Sequence, residues 1–578
     1  MPVQYNDLTI QPTQSAKYLG IWLDKHLEFS THRQKLLAKA NGSLEALRAM
    51  TGSVWGASLT AMRKVYQAVV VPQMLYGISA WYCPAARSMP AWEMKRTINE
   101  FTKIQRRAAI LISGAFKSTS AAALNVELFI TPIHLLMDQI IQETAIRIQT
   151  GAAWAQPECL RRQQPRSTQE TRKGGWSPLE ALRWKKDGIL DPKGYVWESR
   201  KAFILGPWEA RIPCVIENAE VARASHDKIE AALDRTPTVL FFTDGSGYEG
   251  QVGASAVAPR EGVFRRRYLG TTEESTVYVA ELNGIEMAIA RFVNQQQHDK
   301  GPTKIVIFSD SQAAIQAVQN PKRSSGQYVL SLIYNHVRTL RSARSHHQQT
   351  PTFDQIPIEI RWIPAHVGVP GNETADVEAK LAATGGAVGH GSDQPRAGDS
   401  AGSGSPSDRV LLAATAKRRV RRRIKERWAQ EWAKERTGKP NQRLVKVPDK
   451  KVLRLFESLS KPCTSILIQM RSMRIALNHF LFKIKAVESD QCYCGEGSQT
   501  PRHILMQCPL YANLRKTFLD KVRATDLGDS TDYDAIVSHS QATRYVAEFM
   551  LQTGLLGQFR HVEIEPEPPQ GEGNDPPG

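Results

Sequence analysis

Cysteine is scarce in this 578-residue sequence: there are seven, and four of them are scattered at positions 83, 159, 214 and 463. That excludes a disulfide framework and fits a reducing compartment. Long apolar runs are also missing. The longest uncharged stretch of the N-terminal part, 65–86, carries Gln67, Pro72 and Gln73. It reads as a buried helical hairpin and not as a membrane span. No secretory signal is read at the start. Acid is short against base: 57 Asp and Glu face 75 Lys and Arg, a formal net charge of +18. Such an excess favours a polyanionic partner, of which nucleic acid is the commonest. Hydrophobic content of 41% is ordinary for globular domains. The length exceeds what one core holds, so about two to four domains are expected.

Two near-copies of one pattern stand out. Thr238 to Asp244 is an apolar run, a hydroxyl and an aspartate, and Lys304 to Asp310 repeats it. Runs rich in β-branched and aromatic residues, followed by turn formers, predict buried strands that end at their carboxylates. Laid side by side and parallel, the strands bring Asp244 and Asp310 to one sheet edge. Between them, small and apolar residues from Val252 and the stretch 262–270 predict two hairpin-linked strands. A helix over 275–295 follows, with a stripe of Leu282, Ile285, Ile289 and Phe292. Glu281 falls at the margin of that stripe beside the small residues Ala280, Gly284 and Ala288. Helices over 311–318 and 327–341, a polar insertion over 342–355 and a strand over 358–363 come next. A last helix starts near Glu373 and holds Asp376 in its first turn, where the helix dipole favours an anion. Four converging carboxylates repel one another, and hard divalent cations with oxygen ligands are the usual remedy.

The ordered set Thr243-Asp244-Gly245-Ser246, Ala280-Glu281-Leu282, Ser309-Asp310-Ser311 and His366 through Asp376 resembles the ribonuclease H family. Each motif alone is a common turn or cap; together, in this order, they are specific. The resemblance covers about a quarter of the chain and implies an α/β fold, a mixed five-stranded sheet flanked by helices. It implies that Asp244, Glu281, Asp310 and Asp376 bind two Mg2+ ions, with Mn2+ as the alternative, and that the RNA strand of RNA–DNA hybrids is hydrolysed. His366 then assists proton transfer or product release. Ser246, Asn283, Gln312 and Asn372 are placed to help sense the substrate strands.

Upstream, Lys17 to Asp24 reads as a strand in which Gly20 marks a bulge or a close backbone approach. Helices follow, with Leu36, Leu37, Ala40, Leu44 and Leu47 on one stripe. Together with Leu75-Tyr76-Gly77 and Trp81, this stretch resembles the end of the polymerase domain of non-LTR retrotransposon reverse transcriptases, which implies a primer-grip strand and a thumb. No Tyr/Phe-x-Asp-Asp turn precedes it, so the chain reads as truncated and polymerase activity is not expected. Further helices over 94–113 and 131–150 carry Lys95, Arg96, Lys103, Arg106 and Arg107, which suit a nucleic-acid backbone or a solvated face equally.

Residues 384–409 are rich in Gly, Ser and Ala and read as a flexible linker. Beyond it, Val420, Ile424, Trp428 and Trp432 share one stripe of a basic amphipathic helix over 417–432. That helix suits docking, phosphate contact or a nuclear localisation signal. Cys492, Cys494, His503 and Cys508 offer three thiolates and an imidazole, a set suited to Zn2+. Arg471, Arg474, Lys483 and Arg502 lie near them in sequence, placed for nucleic acid. The expected organisation is a mostly helical thumb-like region over 1–150, a linker over 151–235, the ribonuclease H domain over 236–383 and the flexible linker over 384–409. A basic helical region with the zinc-knuckle-like segment spans 410–560, and a disordered acidic tail 561–578. The expected setting is intracellular, a nuclear or cytoplasmic ribonucleoprotein with no membrane contact and an unspecified oligomeric state. Competing readings are a nucleic-acid-binding remnant without turnover, and cleavage of DNA by the same two-metal site.

Overall fold

The computed structural model describes residues 3–5, 8–11, 13–82, 91–151, 195–293, 304–345, 358–385 and 409–563. Most of the polar insertion expected over 342–355, nearly all of the flexible linker and the tail from 564 lie outside the described residues, as does most of the stretch 151–194; residues 342–345 are helical and not part of an insertion. The chain divides into two compact units, residues 142–421 and residues 1–141 with 422–578.

The first unit is built on a six-stranded mixed sheet. Its strands are β1 (Cys214–Val215), β2 (Thr238–Tyr248), β3 (Gln251–Ala258), β4 (Val263–Thr271), β5 (Lys304–Ser309) and β6 (Ile358–Trp362), in the spatial order β1-β6-β5-β2-β3-β4. The sheet therefore has one strand more than the five expected, and the extra one lies upstream of the strands read from sequence. β5 runs parallel to β2 and β6, whereas β3 and β4 are antiparallel. Ile305 to Phe308 are all buried, as a central parallel strand covered on both faces requires.

Side chains alternate between two cores. Phe241, Ile305 and Ile307 point to one, which α2 (Val277–Val293), α3 (Gln312–Gln319) and α4 (Gln327–Ser345) cover. Leu240, Phe242, Val306 and Phe308 point to the other, with Val369 and Ala375 of α5 (Pro370–Gly385) and its approach. A helix upstream of the sheet, α1 (Ala219–Ala231), adds Ile229 to that second core, and Leu233 follows from just beyond it. A Cβ on Gly284 would lie 2.7 Å from the Ser255 carbonyl oxygen, so α2 packs directly on the sheet. Outside the sheet, Tyr195–Trp197 pairs in parallel with Arg409–Leu411.

In the second unit, the N-terminal stretch forms a hairpin, Ser15–Tyr18 against Ile21–Asp24. Gly20 is a turn residue and not a bulge. Leu19 and Gly20 both have positive φ, 48° and 83°, the pairing that a two-residue turn matched to strand twist needs. Ile424, Trp428 and Trp432 of the basic helix Ala413–Lys434 are buried, and so is Val420, which belongs to the first unit. Arg96 and Arg107 are paired with Glu100 and Glu45. No described helix is long and apolar enough to cross a membrane.

Candidate active site

β5 and β2 are in register, with Ser309 opposite Thr243. Asp310 and Asp244 are the next residues, so they leave the parallel pair side by side. β5 ends there. β2 does not: it continues to Tyr248 and pairs Asp244 with Ser255 of β3. The expectation that both strands stop at their carboxylates thus holds only for Asp310. A Cβ on Gly245 would meet the Glu281 nitrogen at 2.4 Å, and this close approach sets Glu281 of α2 beside Asp244.

Asp244, Glu281 and Asp310 each bring an oxygen within 4.8 Å of the others. Asp244 and Glu281 are buried. Burial, then the charges of Asp310 and Asp376, pushes Asp244 up to about 7, against the opposing pull of the Gly245 N–H and Lys380. Burial, then Asp244 and Asp310, pushes Glu281 up to about 10. Asp310 is raised by burial as well, while the Asn372 amide and the His366 ring draw it back down. Glu281 Oε2 is buried without a hydrogen-bond partner. An orphaned oxygen in an all-carboxylate cluster fits a hard cation.

Asp376 lies outside this trio. It sits in the second turn of α5, not the first, because the helix begins at Pro370, a residue preorganised for a first turn. The dipole argument for Asp376 weakens accordingly. Its Oδ2 accepts from Lys380 Nζ at 2.6 Å. His366 is exposed on the loop before α5, in the left-handed region with φ 54°.

The expected substrate contacts divide. Ser246 is half-buried two residues beyond Asp244, on the same side of β2, and Gln312 is exposed at the start of α3. Asn372 is buried and bonds to Asp310. Asn283 is spent internally, donating to the Val279 carbonyl and accepting from Arg267, both within 2.8 Å. Its spacing from Glu281 carried no sign of these partners. Lys380 was missed. Its signal was an i,i+4 acid–base pair with Asp376, the commonest kind of surface helix pair.

Residues 236–384 match the RNase H family. The chain is similar to the probable RNA-directed DNA polymerase from transposon BS of Drosophila melanogaster, 28% identical over 144 residues, 25% of this chain and 15% of that protein. It is also similar to a retrovirus-related Pol polyprotein from the type-1 retrotransposable element R1 4 of Nasonia vitripennis, 27% identical over 123 residues, 21% of this chain and 29% of that one. The chain thus spans less than a third of the length of either relative. The solved structure of LC11-RNase H1, isolated from compost, is 16% identical and covers 26% of this chain and 99% of its own, with a TM-score of 0.19. The RNase H match begins at 236, so β1 and α1 lie upstream of it.

A second cluster sits in the other unit. Cys492, Cys494, His503 and Cys508 bring four ligand atoms within 4.8 Å of one another. Cys492 and Cys508 sulfurs are 3.7 Å apart, too far for a disulfide, and Cys494 Sγ is 3.2 Å from His503 Nε2. The Glu496 N–H donates to Cys494 Sγ and holds that thiol below its ordinary range, whereas burial pushes Cys508 up to about 12. Three sulfurs and one imidazole nitrogen suit a tetrahedral metal. The basic residues expected around it behave differently. Lys483 is exposed, Arg474 stacks on Phe480, and Arg502 reaches Asp534. Arg471 is wholly buried and bonded to Glu127 at 2.9 Å, so it faces the protein interior and not a ligand.

Proposed function

We propose that this chain is a metal-dependent ribonuclease H that hydrolyses the RNA strand of RNA–DNA hybrids, in the context of a retrotransposon-derived polyprotein. One observation carries the reading: Asp244, Glu281 and Asp310 hold three carboxylates within 4.8 Å of one another, although burial and mutual repulsion oppose their ionisation. Such a cluster costs stability unless cations offset it.

Asp244, Glu281, Asp310 and Asp376 would hold two Mg2+ ions, with Mn2+ as the alternative. Bound there, the ions supply Lewis-acid charge that favours an attacking hydroxide and stabilises the leaving 3′ oxygen. The chain's own groups do the rest. Asn372 fixes the Asp310 carboxylate. Lys380 holds Asp376 while no divalent ion is bound. His366 stands on an exposed loop close enough to act electrostatically on Asp310, placed to move a proton at the leaving oxygen. Ser246 and Gln312 would contact the sugar-phosphate backbone, and a net charge of +18 favours that polyanion. The products are a 5′-phosphate and a 3′-hydroxyl. The Cys492, Cys494, His503 and Cys508 cluster binds structural Zn2+.

The test is a labelled RNA–DNA hybrid incubated with the full chain and Mg2+. Cleavage of the RNA strand is expected, with loss of at least about a hundredfold in Asp310→Asn. Salt-sensitive hybrid binding without cleavage would sink the enzymatic reading and leave a binding remnant. Cleavage of duplex DNA at an equal rate would reassign the substrate.

A further inference from the structure

Helix α1 precedes the segment that matches RNase H, yet it is seated on a face of the sheet that carries the carboxylates. The Asn218 side chain caps it through the Val221 N–H at 2.9 Å. His226, buried at 2% exposure, anchors it to the sheet, its ring 5.1 Å from Phe308 and 5.7 Å from Phe242. Ile229 adds apolar contact to the same core. These contacts fix the helix, and one turn before His226 it presents Arg223.

Arg223 Nη1 donates to the carbonyl oxygen of Val367. Val367 sits between two left-handed residues, His366 at φ 54° and Gly368 at φ 74°. Glycine takes that conformation freely; histidine rarely does, and holds it where neighbouring structure enforces it. Among the described residues, Arg223 is the one side chain that donates to the backbone of residues 366–368. The carbonyl it holds belongs to the peptide unit that joins Val367 to Gly368, one residue on from the strained histidine.

We propose that Arg223 is a positioning residue for His366: by clamping the Val367 carbonyl from a helix outside the RNase H match, it holds the loop that carries the imidazole in its strained conformation. Freed of the clamp, the backbone at His366 relaxes to negative φ and swings the ring away. The chemistry needs the ring at the leaving oxygen, whereas substrate contacts lie elsewhere. The loss therefore falls on kcat and not on KM.

The kinetic arm of the test rests on the ribonuclease reading above; the hydrogen-exchange arm does not. In hybrid cleavage, Arg223→Met lowers kcat about tenfold with KM within about twofold. Arg223→Lys, which still reaches a carbonyl, recovers most of the loss. In a His366→Ala background Arg223→Met changes kcat less than about twofold, because the two act as one unit. Equal losses in both backgrounds overturn the proposal. In the full chain without substrate, Arg223→Met speeds amide exchange at Asn372 and Glu373, whose N–H groups bond to the Val369 carbonyl, while α2 stays protected. Unchanged exchange there overturns the clamp even if the wild type cleaves nothing. If Arg223→Met fails to fold, Arg223→Gln, too short to span the gap, takes its place in both arms.

Discussion

Lys380 Nζ stands 2.6 Å from Asp376 Oδ2, one helical turn further along α5. The hydrogen bond to Asp376 raises the lysine above its ordinary range, and the same ammonium pulls against the upward shift of Asp244. A fixed monovalent cation therefore borders the carboxylate cluster and occupies the one acid that stands apart from it.

That placement sets Lys380 in competition with a divalent ion for Asp376. Lys380→Met is expected to tighten Mn2+ binding in the absence of substrate by about two- to fivefold, the size of a partly screened charge effect. Calorimetric titration of the metal-free protein measures it. Unchanged or weaker binding would show that the ammonium organises Asp376 for the metal and does not compete for it.

The raised carboxylates predict an inverted pH dependence for the metal-free protein. In an unfolded chain Asp and Glu titrate near about 4, whereas here Asp244 sits at about 7 and Glu281 at about 10. The folded form then binds protons more tightly than the unfolded one. Its contribution to stability is full below about pH 4 and is lost as pH rises through the folded values. In EDTA the melting temperature is expected to fall between about pH 5 and pH 8, and saturating Mg2+ should flatten that fall. Asp244→Asn removes one of these titrations. It should raise the metal-free melting temperature at about pH 8 by a few degrees. Parallel curves with and without Mg2+ would contradict this account.

Much of the site was legible because the signals were local. Continuous apolar runs marked β2 and β5, and Asp244 and Asp310 followed them by one residue each. Glu281 was marked by its small neighbours Ala280 and Gly284. What stayed hidden depended on partners distant in sequence. β1 is two residues long, too short for any alternation. α1 seats itself on the sheet through the His226 ring, so its pattern lacks an aliphatic stripe. Asn283 looked available until Arg267 was seen to take its oxygen. Arg471 read as a surface charge because the sequence says nothing of Glu127, 344 residues away.

The Cys492, Cys494, His503 and Cys508 cluster predicts a bound metal of its own. Protein purified without chelator should carry about one Zn2+ per chain, and Cys494→Ser should lose most of it by elemental analysis. Its thiol ionises more readily than that of Cys508, since the Glu496 N–H already stabilises the thiolate. Amide exchange over residues 490–508 should accelerate in the variant. A wild type that carries no metal, with exchange unaffected by the substitution, would reduce the cluster to a packed thiol group.

Arg471 and Glu127 form an ion pair with no exposed side-chain surface on either partner. The guanidinium also donates to the Val537 carbonyl and the Ser538 hydroxyl, and Asn441 donates to the other Glu127 oxygen. Desolvating both charges is expensive, and their attraction returns that cost only while both are present. Removing one leaves a buried charge without a counter-ion. Arg471→Met is therefore expected to destabilise the unit that holds it by about 3–5 kcal/mol, read as a lower midpoint in urea. The double variant Arg471→Met with Glu127→Leu should recover most of that loss, because an apolar pair of similar volume carries no desolvation cost. If the single and double variants are equally destabilised, the pair matters through its hydrogen bonds to Val537 and Asn441, and not through charge.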